Sequence, residues 1–457
     1  MKTLYSERVL SICVAVAALA FPAQAMAQMP EAIASQPAHQ RALAAGYKAL
    51  TVCSALKTAE EAGSSRTVAS VEANELVGIY AELAPIIGHL VAEVSAQGVS
   101  VAWDDQAPAR VATYRPGQGC VIQPMGYVSG SNLAPVTRHS DAKDLPTGAV
   151  AGDAVALERV IQSALTQGYG AGTNTTGVVV LQNGKRVAES YAEGFGPDTP
   201  QRTWSVAKSI AGTLIGAAVQ RGEVKVSDRA DIANWQMAGD PRAAITIESL
   251  MRMSSGLTSD TAGNRTDALY FGGTTADEQA AGWPLLHPVG STYRYANNDT
   301  LLAVMAIAKG FEVNPPAAFF DRLGMSRTYA ETDWRGNYIL SSQVWTTARD
   351  LSRLGQLYLD DGVWEGERIL PQGWGAFVST PSGPQPPTGN FGYGATFWVF
   401  NRSDGVPADT YAANGNRGQY IVIIPSRRTV IVRRGEDPAG KSFDVAAFTR
   451  DVLATLD

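Results

Sequence analysis

Ser205 and Lys208 stand three residues apart in Trp204-Ser205-Val206-Ala207-Lys208-Ser209, where an apolar run from Val206 to Gln220 begins. On a helix this spacing puts both side chains on one face, one turn apart. At a helix start, backbone N–H groups and the macrodipole favour developing negative charge. A lysine buried beside a serine loses basicity and can then take a proton from it. The pair therefore has the means for nucleophilic acyl transfer. The same residues also fit an ordinary helix-cap serine and a surface lysine, since Ser-x-x-Lys recurs by chance in a chain of this length.

The rest of the inventory narrows the base. Of 457 residues only four are histidines, His39, His89, His139 and His287, and they are scattered. That disfavours a histidine-rich zinc site and makes a Ser-His-Asp arrangement a poor first choice. Acidic residues number 43 and basic ones 37, for a net charge of -6. No Lys/Arg-rich face is announced, so no nucleic-acid partner is expected. Gly415-Asn416-Arg417-Gly418 is not a phosphate loop, because the Gly-Lys-Ser/Thr ending is absent. No metal constellation is found and no cofactor is implied. With 45% hydrophobic and 18% charged residues the composition is globular.

Residues 1–27 read as a secretory signal: Lys2 and Arg8, an apolar run from Val9 to Ala20, then Ala25-Met26-Ala27 before a cut at Gln28. An uncleaved anchor is the other reading, although the run is short for a spanning helix and Pro22 follows it. A periplasmic or secreted chain with no transmembrane segment after cleavage is expected. Cys13 leaves with the signal. Cys53 and Cys120 remain as an even pair in an oxidising compartment, and a disulfide between them is expected.

Residues 28–150 form a front segment with no sign of chemistry, read as a structural extension. Apolar periodicity predicts helices over 39–56 and 68–94. The stretch 100–114 reads as a hairpin. The main body, 151–457, opens with a helix over 153–165 capped by Asp153. Val178–Leu181 and Val187–Tyr191 flank Asn183-Gly184, a type I′ hairpin signal. Helices over 206–220 and 347–358 follow, with a mostly helical lobe between them at about 225–345. Phe391–Phe400, Tyr420–Pro425 and Thr429–Arg433 are β-rich, and a last helix covers 441–455. The expected fold class is α/β (α+β): a central antiparallel sheet from both ends of the main body, flanked by helices, plus the lobe.

Ser205-Val206-Ala207-Lys208-Ser209 resembles the nucleophile motif of the serine β-lactamase and penicillin-binding-protein superfamily, and its class C-like branch in particular. Three further stretches follow in the family's order. Ile245–Leu257 resembles its helix into a Ser-Gly-Leu turn, Tyr293–Leu302 its Tyr-x-Asn motif, and Thr347–Gly355 the helix after it. Gly415-Asn416-Arg417-Gly418-Gln419 stands where the third motif belongs. The resemblance covers roughly residues 170–453 and implies a β-lactamase/transpeptidase-like fold. It implies Ser205 as acylated nucleophile, Lys208 as base and Tyr295 as relay to the leaving group. Asn297 would position Lys208 and the substrate, and the N–H groups of Ser205 and Gln419 would form the oxyanion hole.

The third motif departs from the Lys-Thr-Gly wording of class C β-lactamases. Asn416 is neutral, and Arg417 points away from the cleft if the strand alternates. The Gly-x-x-Gly-Gln form resembles the 6-aminohexanoate-dimer hydrolases and family VIII esterases. The nylon-oligomer amidases are also similar in carrying an extra tyrosine between the first two motifs, which makes Tyr270 a candidate leaving-amine contact. Trp345 and Trp398 are candidate pocket aromatics, as are Asn416 and Gly418 for substrate binding, although packing explains the tryptophans equally well. The expected function is hydrolysis of small linear amides or esters through an acyl-enzyme. The alternatives are a family VIII-type carboxylesterase, a D-aminopeptidase, a class C-like β-lactamase, or a non-catalytic binding protein on the same fold.

Overall fold

The computed structural model describes residues 31–127, 136–138, 144–257 and 265–457. The signal expected over 1–27 lies outside them.

After one short turn of helix, Glu31–Ala34, the front segment runs through α1 (Ala38–Glu61). Four short antiparallel strands pack on it: β1 (Ala92–Ser95), β2 (Gly98–Val101), β3 (Arg110–Arg115) and β4 (Gly119–Ile122). Helix is sparser here than the periodicity suggests. Between 68 and 94 only Val68–Ala73 and Ala84–Ile87 are helical, and the stretch ends in β1. Gly78 adopts φ +62°, which breaks the run, and Pro85, in the first turn of the next helix, keeps that helix from extending back to join it. Cys53 on α1 and Cys120 on β4 are joined by a disulfide.

The main body begins with α2 (Ala154–Leu165), capped by the Asp153 side chain at 2.9 Å from Ala156 N. β5 (Thr175–Gln182) and β6 (Lys185–Tyr191) follow. Asn183 and Gly184 between them both have positive φ, +52° and +76°, as a type I′ turn requires. β7 (Gln201–Arg202) leads into α3 (Val206–Gln220). The lobe contributes α4 (Asn297–Ala306) among several shorter helices, then β8 (Tyr329–Ala330) and β9 (Val344–Thr346). The chain returns through α5 (Ala348–Leu359), β10 (Gly392–Tyr393), β11 (Trp398–Val399), β12 (Tyr411–Gly415), β13 (Gln419–Ile424), β14 (Thr429–Gly435) and α6 (Val445–Ala454).

Seven of these strands form one antiparallel sheet in the order β10-β11-β12-β13-β14-β5-β6. Strand alternation explains its two buried faces. Val178 and Val180 join Leu157, Ile161, Phe448 and Val452 beneath α2 and α6. Val179 and Leu181 point the other way, into the larger core with Val206, Ile210, Leu351 and Leu354 of α3 and α5. Gly355 lets α5 lie close on this face, because a β-carbon there would come within 2.5 Å of Val430 Cγ1. The same core continues through Tyr47, Leu50 and Val52 of α1, so the front segment and the main body share one hydrophobic interior. Among the described residues no helix is long and apolar enough to cross a membrane.

Candidate active site

Three elements converge on Ser205. β7 enters by pairing with β9, Gln201 opposite Thr346 and Arg202 opposite Trp345. Thr203 N then donates to Val344 O at 2.8 Å. Trp204 turns the chain with φ +50°, a left-handed conformation uncommon for a large residue. Ser205 is the N-cap of α3 but makes no side-chain cap hydrogen bond. Its hydroxyl is thus not consumed by the helix end, which removes the ordinary-cap reading.

Lys208 is not a surface lysine. It is 1% exposed, and its Nζ lies 3.0 Å from Ser205 Oγ, 2.5 Å from Asn297 Oδ1 and 2.9 Å from Ser341 O. Burial lowers its pKa to about 7, helped by the positive charge of Arg202. The partner types matter more than their number. An amide oxygen and a backbone carbonyl can only accept, so they take two N–H bonds of a neutral amine. The lone pair is then left for the Ser205 hydroxyl, which is the arrangement a base needs.

Asn297 opens α4, and Tyr295 precedes it by two residues. Tyr295 is partly exposed. Burial raises its pKa while the neighbouring Ser205 hydroxyl lowers it. Lys208 Nζ lies 5.1 Å from its ring centroid. Tyr295 packs on Trp398, centroids 5.3 Å apart, and edge-on to Tyr393 at 6.0 Å. Trp398 therefore does border the site. Ser205, Lys208, Tyr295 and Asn297 are brought together.

The remaining candidates fall elsewhere. Tyr270 is 3% exposed and its hydroxyl bonds Ser341 Oγ at 2.7 Å. It braces the segment that holds Lys208, and its hydroxyl is already engaged. Trp345 is 1% exposed in the middle of the β7-β9-β8 sheet, close to the buried Glu331, so packing accounts for it. Gly418 (φ +77°) shapes the turn, and a β-carbon there would collide with Arg433. Asn416 is exposed at the tip, with its Oδ1 accepting from Arg417 N at 2.9 Å.

Gln419, expected as an oxyanion donor through its backbone N–H, pairs with Gly415 across the hairpin. It is fully buried, with its side-chain amide donating to Gly435 O and its Oε1 accepting from Arg434 Nε at 2.7 Å. Gly415, at the end of β12, closely approaches the nucleophile. A β-carbon there would collide with Thr203 O and lie 3.2 Å from Ser205 N. Glycine is required for that approach. Arg417 takes φ +58°, closing the hairpin between the β12 end and the β13 start.

Arg417 does point away. Its guanidinium bonds Glu436 Oε2 at 2.8 Å and the carbonyls of Val77 (2.7 Å) and Asn74 (2.8 Å) in the front segment. Ser341, Arg202 and Gly415 are the site residues missed from sequence. Nothing local marks the first two; the third was part of the motif but read for its neighbour.

The β-lactamase family model matches residues 157–451, more than half of the chain. The chain belongs to the β-lactamase family. It is thereby an enzyme of the serine-hydrolase type. A 6-aminohexanoate-dimer hydrolase of Paenarthrobacter ureafaciens is 26% identical over 224 residues, 44% of this chain. The match spans 56% of that curated relative's length. Among solved structures, a candidate 6-aminohexanoate-dimer hydrolase from Bacillus anthracis superposes with a TM-score of 0.57 at 20% identity. It covers 71% of this chain and 89% of its own. A candidate β-lactamase from Bacteroides dorei gives 0.51 at 20% identity, over 62% and 91%. At these identities the two structures show the shared fold.

Proposed function

We propose that this enzyme hydrolyses small linear amides or esters through an acyl-Ser205 intermediate, as the relationship to the 6-aminohexanoate-dimer hydrolase suggests. The observation that carries the reading is the Lys208 amine, 3.0 Å from Ser205 Oγ with its other two partners acceptor-only.

Acylation begins as Ser205 Oγ attacks the substrate carbonyl and its proton passes to Lys208 Nζ. The negative charge on the carbonyl oxygen is met by Ser205 N–H at the start of α3 and by a backbone N–H from the Gly415–Asn416 end of β12. The C–N or C–O bond then breaks. The leaving amine or alcohol takes a proton through Tyr295, resupplied from Lys208. Water, deprotonated by the same groups, attacks the ester and frees Ser205.

Linear substrates are favoured over β-lactams by the third motif. Asn416 is uncharged and Arg417 is tied to Glu436, so this turn offers no free cation for a lactam carboxylate. Family VIII-type esterase, D-aminopeptidase and β-lactamase activities are the competing readings. Export to the periplasm or beyond is part of the proposal and rests on residues 1–27.

The test is a panel of p-nitrophenyl esters, aminohexanoate amides, D-alanyl peptides and nitrocefin, with Ser205→Ala as control. Ester or linear-amide turnover should dominate and Ser205→Ala should abolish it, along with fluorophosphonate labelling. Labelling that persists in Ser205→Ala would end the Ser205 assignment; nitrocefin as the best substrate would end the linear-substrate reading.

A further inference from the structure

Arg202, three residues before the nucleophile, is 4% exposed and lacks a carboxylate partner within 4 Å among the described residues. Its hydrogen bonds go to one residue: Nη2 to Ser342 Oγ at 2.6 Å and Nε to Ser342 O at 3.4 Å. Its guanidinium lies 3.8 Å from the Trp204 ring centroid and 5.4 Å from that of Tyr270. Such faces soften the burial of a cation without neutralising it. A few residues away, Arg433 is neutralised by a two-point pair with Asp437. The fold can thus pair a buried arginine, and at Arg202 it does not.

The unpaired charge sits behind the base. Ser342 is held by Arg202, and the preceding Ser341 accepts from Lys208 Nζ at 2.9 Å. Tyr270, against which the guanidinium packs, bonds Ser341 Oγ at 2.7 Å. Arg202 therefore fixes one wall of the Lys208 pocket and places a positive charge beside it. We propose that Arg202 is a positioning residue for acylation: its unneutralised guanidinium anchors the Ser341–Ser342 segment and repels a second positive charge on Lys208, keeping that amine in its proton-accepting form.

The groups facing Lys208 support this. From its own helix comes Ser205, from α4 Asn297, from the loop before it Tyr295, from the Asp267–Tyr270 helix Tyr270, and from β7 Arg202. Arg202 is the one permanent charge in that set. After burial, its positive charge is what lowers the Lys208 pKa. Glu331 also faces Arg202, from β8's end. Its carboxyl, held by Ser54 Oγ and Cys120 N, is pushed by burial up to about 7. It gains negative charge in the same pH window and partly offsets Arg202.

The inference rests on the acyl-Ser205 reading, and the experiment separates the two. The rate of Ser205 acylation is followed against pH, as the p-nitrophenol burst, in the native enzyme, Arg202→Gln, Arg202→Lys and Ser342→Ala, each repeated with Glu331→Gln. The native rate should rise through a limb near pH 7. Arg202→Gln should move that limb up by about half a unit or more, slowing acylation about threefold or more at pH 6 while the high-pH plateau shows a competent fold. Arg202→Lys should keep the limb close to its native position. Ser342→Ala removes the 2.6 Å bond but no charge, and should lower the plateau without moving the limb. An unmoved limb in Arg202→Gln, or an equal shift in Ser342→Ala, overturns the proposal and leaves acyl-Ser205 standing. No Ser205 acylation in the native enzyme fells the hydrolase reading and this inference with it.

Discussion

Two sets of buried cations, one at the third-motif turn and β14 of the seven-stranded sheet and one on β7 and α3, are treated in opposite ways. Behind the third-motif turn, Arg433 meets Asp437 through two 2.8 Å bonds, and Arg417 meets Glu436 at 2.8 Å. All four side chains are almost wholly buried. On the other side of Ser205, Lys208 and Arg202 are as deeply buried and meet only neutral oxygens and aromatic faces. A paired buried charge holds geometry, because separating it leaves an uncompensated ion. An unpaired buried amine holds reactivity, because it gives up its proton near neutral pH. The first set shapes the turn that follows Gly415; the second makes the base.

The largest effect should come from removing the base. Lys208→Met keeps the volume and the apolar contacts of the stem but deletes the amine. Turnover of a p-nitrophenyl ester should fall about 10³-fold or more. The melting midpoint should hold or rise, because an amine that burial keeps short of its proton contributes little to folding. Substantial loss of stability in Lys208→Met would show that Lys208 belongs with the structural cations, and the contrast would collapse.

The opposite result is expected at the paired set. Asp437→Asn preserves shape while leaving Arg433 charged and uncompensated at about 1% exposure. Breaking a buried pair in this way costs about 3–5 kcal/mol. Denaturant unfolding should show a loss of that order, while the acidic limb of the acylation rate stays where it was. A shifted limb would mean that the Arg433–Asp437 pair also sets the charge of Lys208.

These two sets were unequally visible in the chain. Ser205 and Lys208 were legible from their spacing of one helical turn, and Tyr295 and Asn297 through the resemblance of Tyr293–Leu302 to the family's Tyr-x-Asn motif. The seven-stranded sheet was legible from Val178–Leu181 and from the runs after Tyr420, where alternation and turn residues agree. Ser341 and Arg202 were not, because their roles exist only once β7 has paired with β9 and brought residues about 140 positions apart into contact. Gly415 was not singled out because motif order cannot reveal how closely a backbone approaches the nucleophile. The helix expected over 68–94 failed on Gly78 and Pro85, whose backbone demands outweighed apolar periodicity.

A smaller effect should come from Glu331, which stands between the two sets: buried like the first, without an ion pair like the second. Its Oε1 accepts from Ser54 Oγ on α1 at 2.5 Å and from Cys120 N on β4 at 2.9 Å, so it ties the front segment to the end of β8. Burial pushes its pKa from 4.5 up to about 7. A carboxyl raised on folding binds its proton more tightly in the native state. Its contribution is fully present below the unfolded pKa near 4.5 and is lost as pH rises through about 7. Glu331→Gln keeps the accepting oxygen and never ionises. Relative to this variant, the native protein should match it near pH 4 and fall behind by on the order of 1–3 kcal/mol by pH 8. Paired thermal melts across that range would read the difference directly. Parallel curves would show that Glu331 carries no ionisation penalty, and would move it into the company of Asp437, as a charge the fold has neutralised.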